Sequence, residues 1–202
     1  MDDLTKIYSK NLFFTLCVFF VGLALPYSRD SALAILLLIL LVFLLFAYLG
    51  KLLLDVIKRV SHSDTSIKEL RYLFITLAIL CAGSYFFIGI IDSKEQMISG
   101  LREIKVEASY ELNTLSGFVG YAQDLVSTYL NSLYYSIVVM STLGDSKIIV
   151  EGGIPRFIIA FEVGAALSLT VFKIGEHYSK RSTLEAKATE NRIIEAVKSR
   201  LK

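Results

Sequence analysis

The side chains that usually do chemistry are sparse in this chain. There are two histidines, His62 and His177, and two cysteines, Cys17 and Cys81. None stands at an HxxxH or CxxC spacing that would hold a metal. There is no G-x-S-x-G elbow, no Walker loop and no pair of carboxylates in a cleft-like context, so an enzyme is not expected. The histidines have the titration range of a pH sensor, although exposed interfacial histidines without a role are the commoner case. Both cysteines lie inside apolar runs, where a small buried thiol is ordinary, and no disulfide framework is expected. Two features remain. Glu162 sits about a turn and a half into an apolar run, where an ionisable group facing lipid would cost at least a few kcal/mol and should instead face protein or water. Residues 127–140, STYLNSLYYSIVVM, are apolar but too short to cross a bilayer and return with the same sidedness, so they read as a re-entrant helix. Such a half-helix is tolerated at membrane depth only where its far end is buried in protein or faces a water-filled cavity.

The elements that must position these residues follow from hydropathy. Of 202 residues, 54% are hydrophobic and only two are prolines, and the mean hydropathy is +0.60, outside the range of soluble domains of this length. The net charge of +2 offers no basic face for nucleic acid. Apolar runs at 12–25, 32–48, 72–91 and 154–174 are long enough, or nearly so, to cross about 30 Å of hydrocarbon. Lys6, Lys10, Lys51, Lys58, Arg59, Lys68, Arg71 and the basic tail from Lys180 to Lys202 place both termini in the cytoplasm by the positive-inside rule. The expected fold is an all-α membrane protein with about four transmembrane helices, a re-entrant helix with its following loop, and a helical cytoplasmic tail. The divisions are a helix pair at 1–60, a cytoplasmic loop and third helix at 61–91, an external turret or cap at 92–126, the re-entrant segment at 127–146, a last membrane helix at 147–175 and the tail at 176–202. Met97, Leu101, Ile104, Ala108 and Leu112 recur at helical spacing, which predicts a helical turret. The tail reads as a solvated helix that could also dock a cytoplasmic partner or bundle with itself.

The run Tyr134-Tyr135-Ser136-Ile137-Val138-Val139-Met140-Ser141-Thr142-Leu143-Gly144-Asp145, with Gly153-Ile154-Pro155-Arg156 and Glu162-Val163-Gly164 behind it, resembles the pore helix, filter and inner helix of the ion-channel family that includes bacterial and two-pore-domain potassium channels. The likeness covers residues 72–175. It implies that Tyr134, Tyr135, Ser136 and Ser141 support a filter made of Thr142, Leu143, Gly144, Asp145 and Ser146, with Glu162 and Gly164 on the inner helix. In that family filter carbonyls replace a cation's hydration shell. Where the family reads Gly-Tyr-Gly-Asp, this chain has Gly144-Asp145-Ser146, either as a two-residue deletion or with Asp145 and Ser146 in the places of tyrosine and glycine. Fewer carbonyl rings and a ring of Asp145 carboxylates imply a pathway for K+ and Na+ with weak selectivity, or a pore relative that does not conduct. One pore loop per chain implies a homotetramer. No cofactor is implied beyond the permeant ions. The first two spans have no arginine series, so steep voltage gating is not expected.

Overall fold

The computed structural model describes residues 2–28, 32–60, 67–105, 110–112 and 114–200. Of these residues about 80% are helical. Six α-helices follow in order: α1 (Asp2–Ala24), α2 (Ala32–Val60), α3 (Ile67–Ile91), α4 (Leu115–Met140), α5 (Gly153–Leu167) and α6 (Gly175–Arg200). A 3-10 turn, Leu25–Ser28, follows α1, and a π-helical segment, Ser168–Ile174, joins α5 to α6. Strands β1 (Ile98–Ser99) and β2 (Ile149–Val150) pair antiparallel, Ile98 with Val150 and Ser99 with Ile149.

By length and composition, Arg71–Ile91 and Gly153–Val171 are apolar enough to cross a membrane, while Tyr8–Ala24 and Phe43–Leu52 are shorter apolar stretches among the described residues. Of these two long helices, 72% of Arg71–Ile91 is buried within the chain but only 28% of Gly153–Val171. Helix α3 is therefore the hub, and α5 leaves most of its apolar surface uncovered. Ring contacts of Phe19 with Phe86, and an Asn11 Nδ2 hydrogen bond to Thr76 O at 2.7 Å, run α1 beside α3 in the same direction. Helix α2 returns beside α1, with Phe14 against Tyr48 and Lys10 Nζ 3.8 Å from Asp55 Oδ2.

The 92–126 segment departs from the helical turret suggested by its spacing. Ile98, Leu101 and Ile104 are buried, but along an extended chain, and Ala108 lies outside the described residues. The cause begins at Asp92, which is buried at the end of α3 instead of reaching water. Its Oδ1 accepts from Gln96 N at 3.0 Å and its Oδ2 from Met97 N at 2.5 Å and Ile98 N at 3.3 Å. With these amides bound to Asp92, the chain leaves α3 in a turn instead of a helix. Arg102 donates to Gly89 O at 3.0 Å and Ile90 O at 3.1 Å, placing a cation on the carbonyl end of α3. Tyr110 Oη donates to Asp124 Oδ2 and accepts from Lys105 N at 2.9 Å. Burial first, then the bond to Asp124, raises the Tyr110 hydroxyl above the usual tyrosine range, so it remains a donor at neutral pH.

Helix α4 begins at the N-cap Thr114, whose hydroxyl accepts from Gly117 N at 3.1 Å. It therefore extends through residues 115–126 as well, and its 26 residues make a rod of about 39 Å. Helix α5 has Gly152 as N-cap and Pro155 in its first turn, where a missing N–H breaks no helical bond. Ser168 Oγ and Thr170 Oγ1 donate back to Gly164 O and Ala166 O, the kind of bond that loosens a helix, and the π segment starts there.

Gly100 closes the rim between β1 and β2: its φ is +78°, and a Cβ there would lie 2.2 Å from Lys147 O. Gly100→Ala is expected to destabilise the fold by about 2 kcal/mol or more. Thermal unfolding in detergent checks this against Gly120→Ala, where a Cβ meets nothing within 4 Å.

Candidate functional site

The residues singled out on α4 and α5 meet against α3. Tyr134 and Tyr135 diverge: Tyr134 is exposed, and Tyr135 is buried with its ring edge-on to Tyr85 at 5.0 Å. Ser136 is fully buried and donates within reach of both Ala78 O, at 3.0 Å, and Glu162 Oε1. Glu162 has no exposed surface, and its Oε2 accepts from Tyr85 Oη at 2.7 Å. The Cys81 thiol also faces the carboxylate. Three helices are thus tied through one acidic side chain enclosed within the chain. Tyr85 and Cys81 carried no signal in the sequence, because 77 residues separate Tyr85 from Glu162.

The depth of α4 can be read from its partners. Thr128 Oγ1 accepts from Glu103 N at 3.0 Å, and Asn131 Nδ2 reaches Leu101 O at 3.3 Å and Glu103 Oε1 at 3.1 Å. The same strip holds the last carbonyls of α3 through Arg102. From that level the helix runs back along α3 toward Ala78, about 18 Å between Thr128 and Met140. Residues 141–148 then lead to β2, which is paired with β1 just beyond the end of α3. Their extended reach of about 27 Å is enough for that return.

The turn at the foot of α4 is an unusual C-cap. Thr142 N donates to Val139 O at 3.0 Å and Leu143 N to Val138 O at 3.2 Å, the two bonds of a Schellman motif. The left-handed position, normally glycine, is Thr142, with φ +57°. A β-branched residue there is strained. Its hydroxyl donates to Ser141 O at 2.7 Å, and the Ser141 hydroxyl to Val138 O at 2.9 Å. Gly144 is also left-handed, φ +71°, with open space around it. Leu143 and Ser146 are exposed, and Asp145 is half-buried with Oδ1 accepting from Lys147 N at 2.7 Å. Gly164 is exposed, and a Cβ on it or on Gly175 would meet nothing within 4 Å, so packing inside this chain does not explain either glycine. Among the described residues no three His, Cys, Asp or Glu side chains gather to hold a metal ion; His62 lies outside the described residues.

No protein-family model, curated protein or solved structure matches the chain.

Two substitutions separate backbone strain from side-chain packing at the turn. Thr142→Gly is expected to stabilise the protein by about 1 kcal/mol, because it relieves a left-handed β-branched residue. Gly144→Ala is expected to destabilise it by about 1–2 kcal/mol although the added methyl has room. Denaturation of the purified protein measures both, and a loss of stability in Thr142→Gly would contradict the strained cap.

Proposed function

We propose that the chain is the pore-forming subunit of a homotetrameric cation channel in the plasma membrane, conducting potassium and sodium with weak selectivity. The observation that carries this reading is the reversal at the foot of α4. A helix runs inward along α3 from the level of Arg102, turns at left-handed Thr142 and Gly144, and the chain returns within residues 141–148 to a strand at the outer end of α3. An apolar helix flanks it on each side, which matches the order outer helix, re-entrant helix, filter and inner helix. In this reading α1 and α2 complete four transmembrane spans, with the turret formed by the 92–114 strip and the outer half of α4.

The uncovered surface fits an assembly in lipid. Tyr134, Ile137, Ile154, Phe157, Leu167 and Val171 are exposed on α4, α5 and the π segment of the single chain, an apolar area that lipid or other copies must cover. Four copies would bring four 142–146 segments to one axis, with the half-buried Asp145 carboxylates as the source of cation attraction. Helix α6 then extends into the cytoplasm, exposed along residues 181–194, where a partner or the other tails can reach it.

A second reading has its own support. Thr142 N–H and hydroxyl, Leu143 N–H and an Asp145 oxygen are all engaged in local bonds. That arrangement suits a non-conducting scaffold with a channel fold, acting through its cytoplasmic tail.

Planar-bilayer recording under a potassium-against-sodium gradient separates the two. The expected result is cation current with a reversal potential near zero, reduced severalfold by Asp145→Asn. Strong potassium selectivity would overturn the weak-selectivity reading, and silence across pH, voltage and calcium would favour the scaffold.

A further inference from the structure

The Ser136 hydroxyl has one hydrogen and two acceptors. Ala78 O lies 3.0 Å away on α3, and Glu162 Oε1 lies within hydrogen-bond distance on α5. Only one can receive the proton at a time. An ionised Glu162 accepts from Ser136 on one oxygen and from Tyr85 on the other. If Ser136 donates to Ala78 O, its oxygen is left facing Glu162 as an acceptor, and a bond survives only when Glu162 carries a proton to give it. Both arrangements satisfy every polar atom in the group. They differ by one proton and the rotation of one hydroxyl.

The surroundings do not force either state. From α3 the group is faced by Cys81 and Tyr85, and from α4 by Ser136 and Tyr135, with Asp145 acting on Tyr135 from the loop. None of these is cationic. An ionised Glu162 with no exposed surface is then held by neutral donors alone, against the penalty of burying a charge. The same hydroxyl decides how many helices α4 is tied to at this point. With Glu162 ionised the Ser136 proton is spent on α5, and with Glu162 protonated Ser136 accepts from α5 and donates to Ala78 O of α3. Ser136 lies just over one helical turn before the strained cap at 141–143, so the choice is made at the base of the segment that reverses the chain.

We infer that Ser136 and Glu162 form a proton switch, in which uptake of one proton by Glu162 reverses the Ser136–Glu162 bond and frees the Ser136 hydroxyl to tie α4 to α3 as well. The switch is a property of the three helices; only its effect on ion flow, a pH-dependent change in the 141–145 turn, rests on the channel reading above.

Infrared spectra of the purified protein in lipid, taken as pH is stepped between about 5 and 9, report the proton directly and need no conduction. The expected result is a carboxylic-acid carbonyl band that grows on acidification in the wild type and is lost in Glu162→Gln, which keeps the shape and both hydrogen-bonding functions of the side chain. Ser136→Ala removes one donor to the carboxylate and is expected to move the midpoint of that band to higher pH. This shift keeps the inference testable even where Glu162→Gln does not fold. A wild-type spectrum with no band dependent on Glu162 in this window, or a midpoint unmoved by Ser136→Ala, would overturn the switch. Silence in the bilayer with a titrating band would overturn the channel reading and leave the switch standing.

Discussion

A carboxylate enclosed by three helices constrains everything around it. Glu162 has no contact with solvent, so the fold must supply polar hydrogens wherever its oxygens point, and it takes them from Tyr85 of α3 and Ser136 of α4. A buried acceptor left unmatched would cost about 1–3 kcal/mol, and more when charged. The relative rotation and depth of α3, α4 and α5 are therefore tied together within hydrogen-bond tolerance at this point.

The outer end is organised by the same demand for polar partners. Where α3 stops, its last carbonyls receive the Arg102 guanidinium, and Asp92 gathers the amides of the departing chain. The strip that follows is bonded to the middle of α4 through Thr128 and Asn131, so a segment with little regular structure still has a defined place. The two-residue pairing of β1 with β2 closes the circuit. Depth in α4 is thus set at two points: by Thr128 and Asn131 at the rim, and by Ser136 inside.

Much of this was legible in the residues, for reasons that differ by segment. Runs of Leu, Ile and Phe mark α3 and α5 because an uninterrupted apolar stretch has few other uses, and the tail is helical from Gly175 to Arg200 as its Ala, Glu, Lys and Arg content suggests. The polar start of the chain belongs to the first helix too, which begins at Asp2 instead of at the apolar boundary. Met97, Leu101 and Ile104 keep a helical period along a strip that is not helical, a coincidence of spacing. The bonds of Asp92 and the left-handed Gly100 that defeat the helix leave no periodic trace. The outer half of α4 was missed for the opposite reason, since Gly117 and Gly120 dilute its helical signal while the Thr114 cap and the contact of Tyr121 Oη with Gly22 O at 2.7 Å hold it. The left-handed threonine could not have been anticipated, because nothing in a residue name reveals its φ.

The cap at the foot of α4 also bears on electrostatics. A helix usually ends with carbonyls free to attract a cation, equivalent to about half a negative charge. Here Ile137 O receives Ser141 N, Val138 O receives Leu143 N and the Ser141 hydroxyl, and Val139 O receives Thr142 N. Three carbonyls at this end of the helix already accept hydrogens from their own chain. In the proposed channel, the focusing of positive charge would then fall more to Asp145, a side chain that one substitution can remove, than to a backbone dipole that no substitution can.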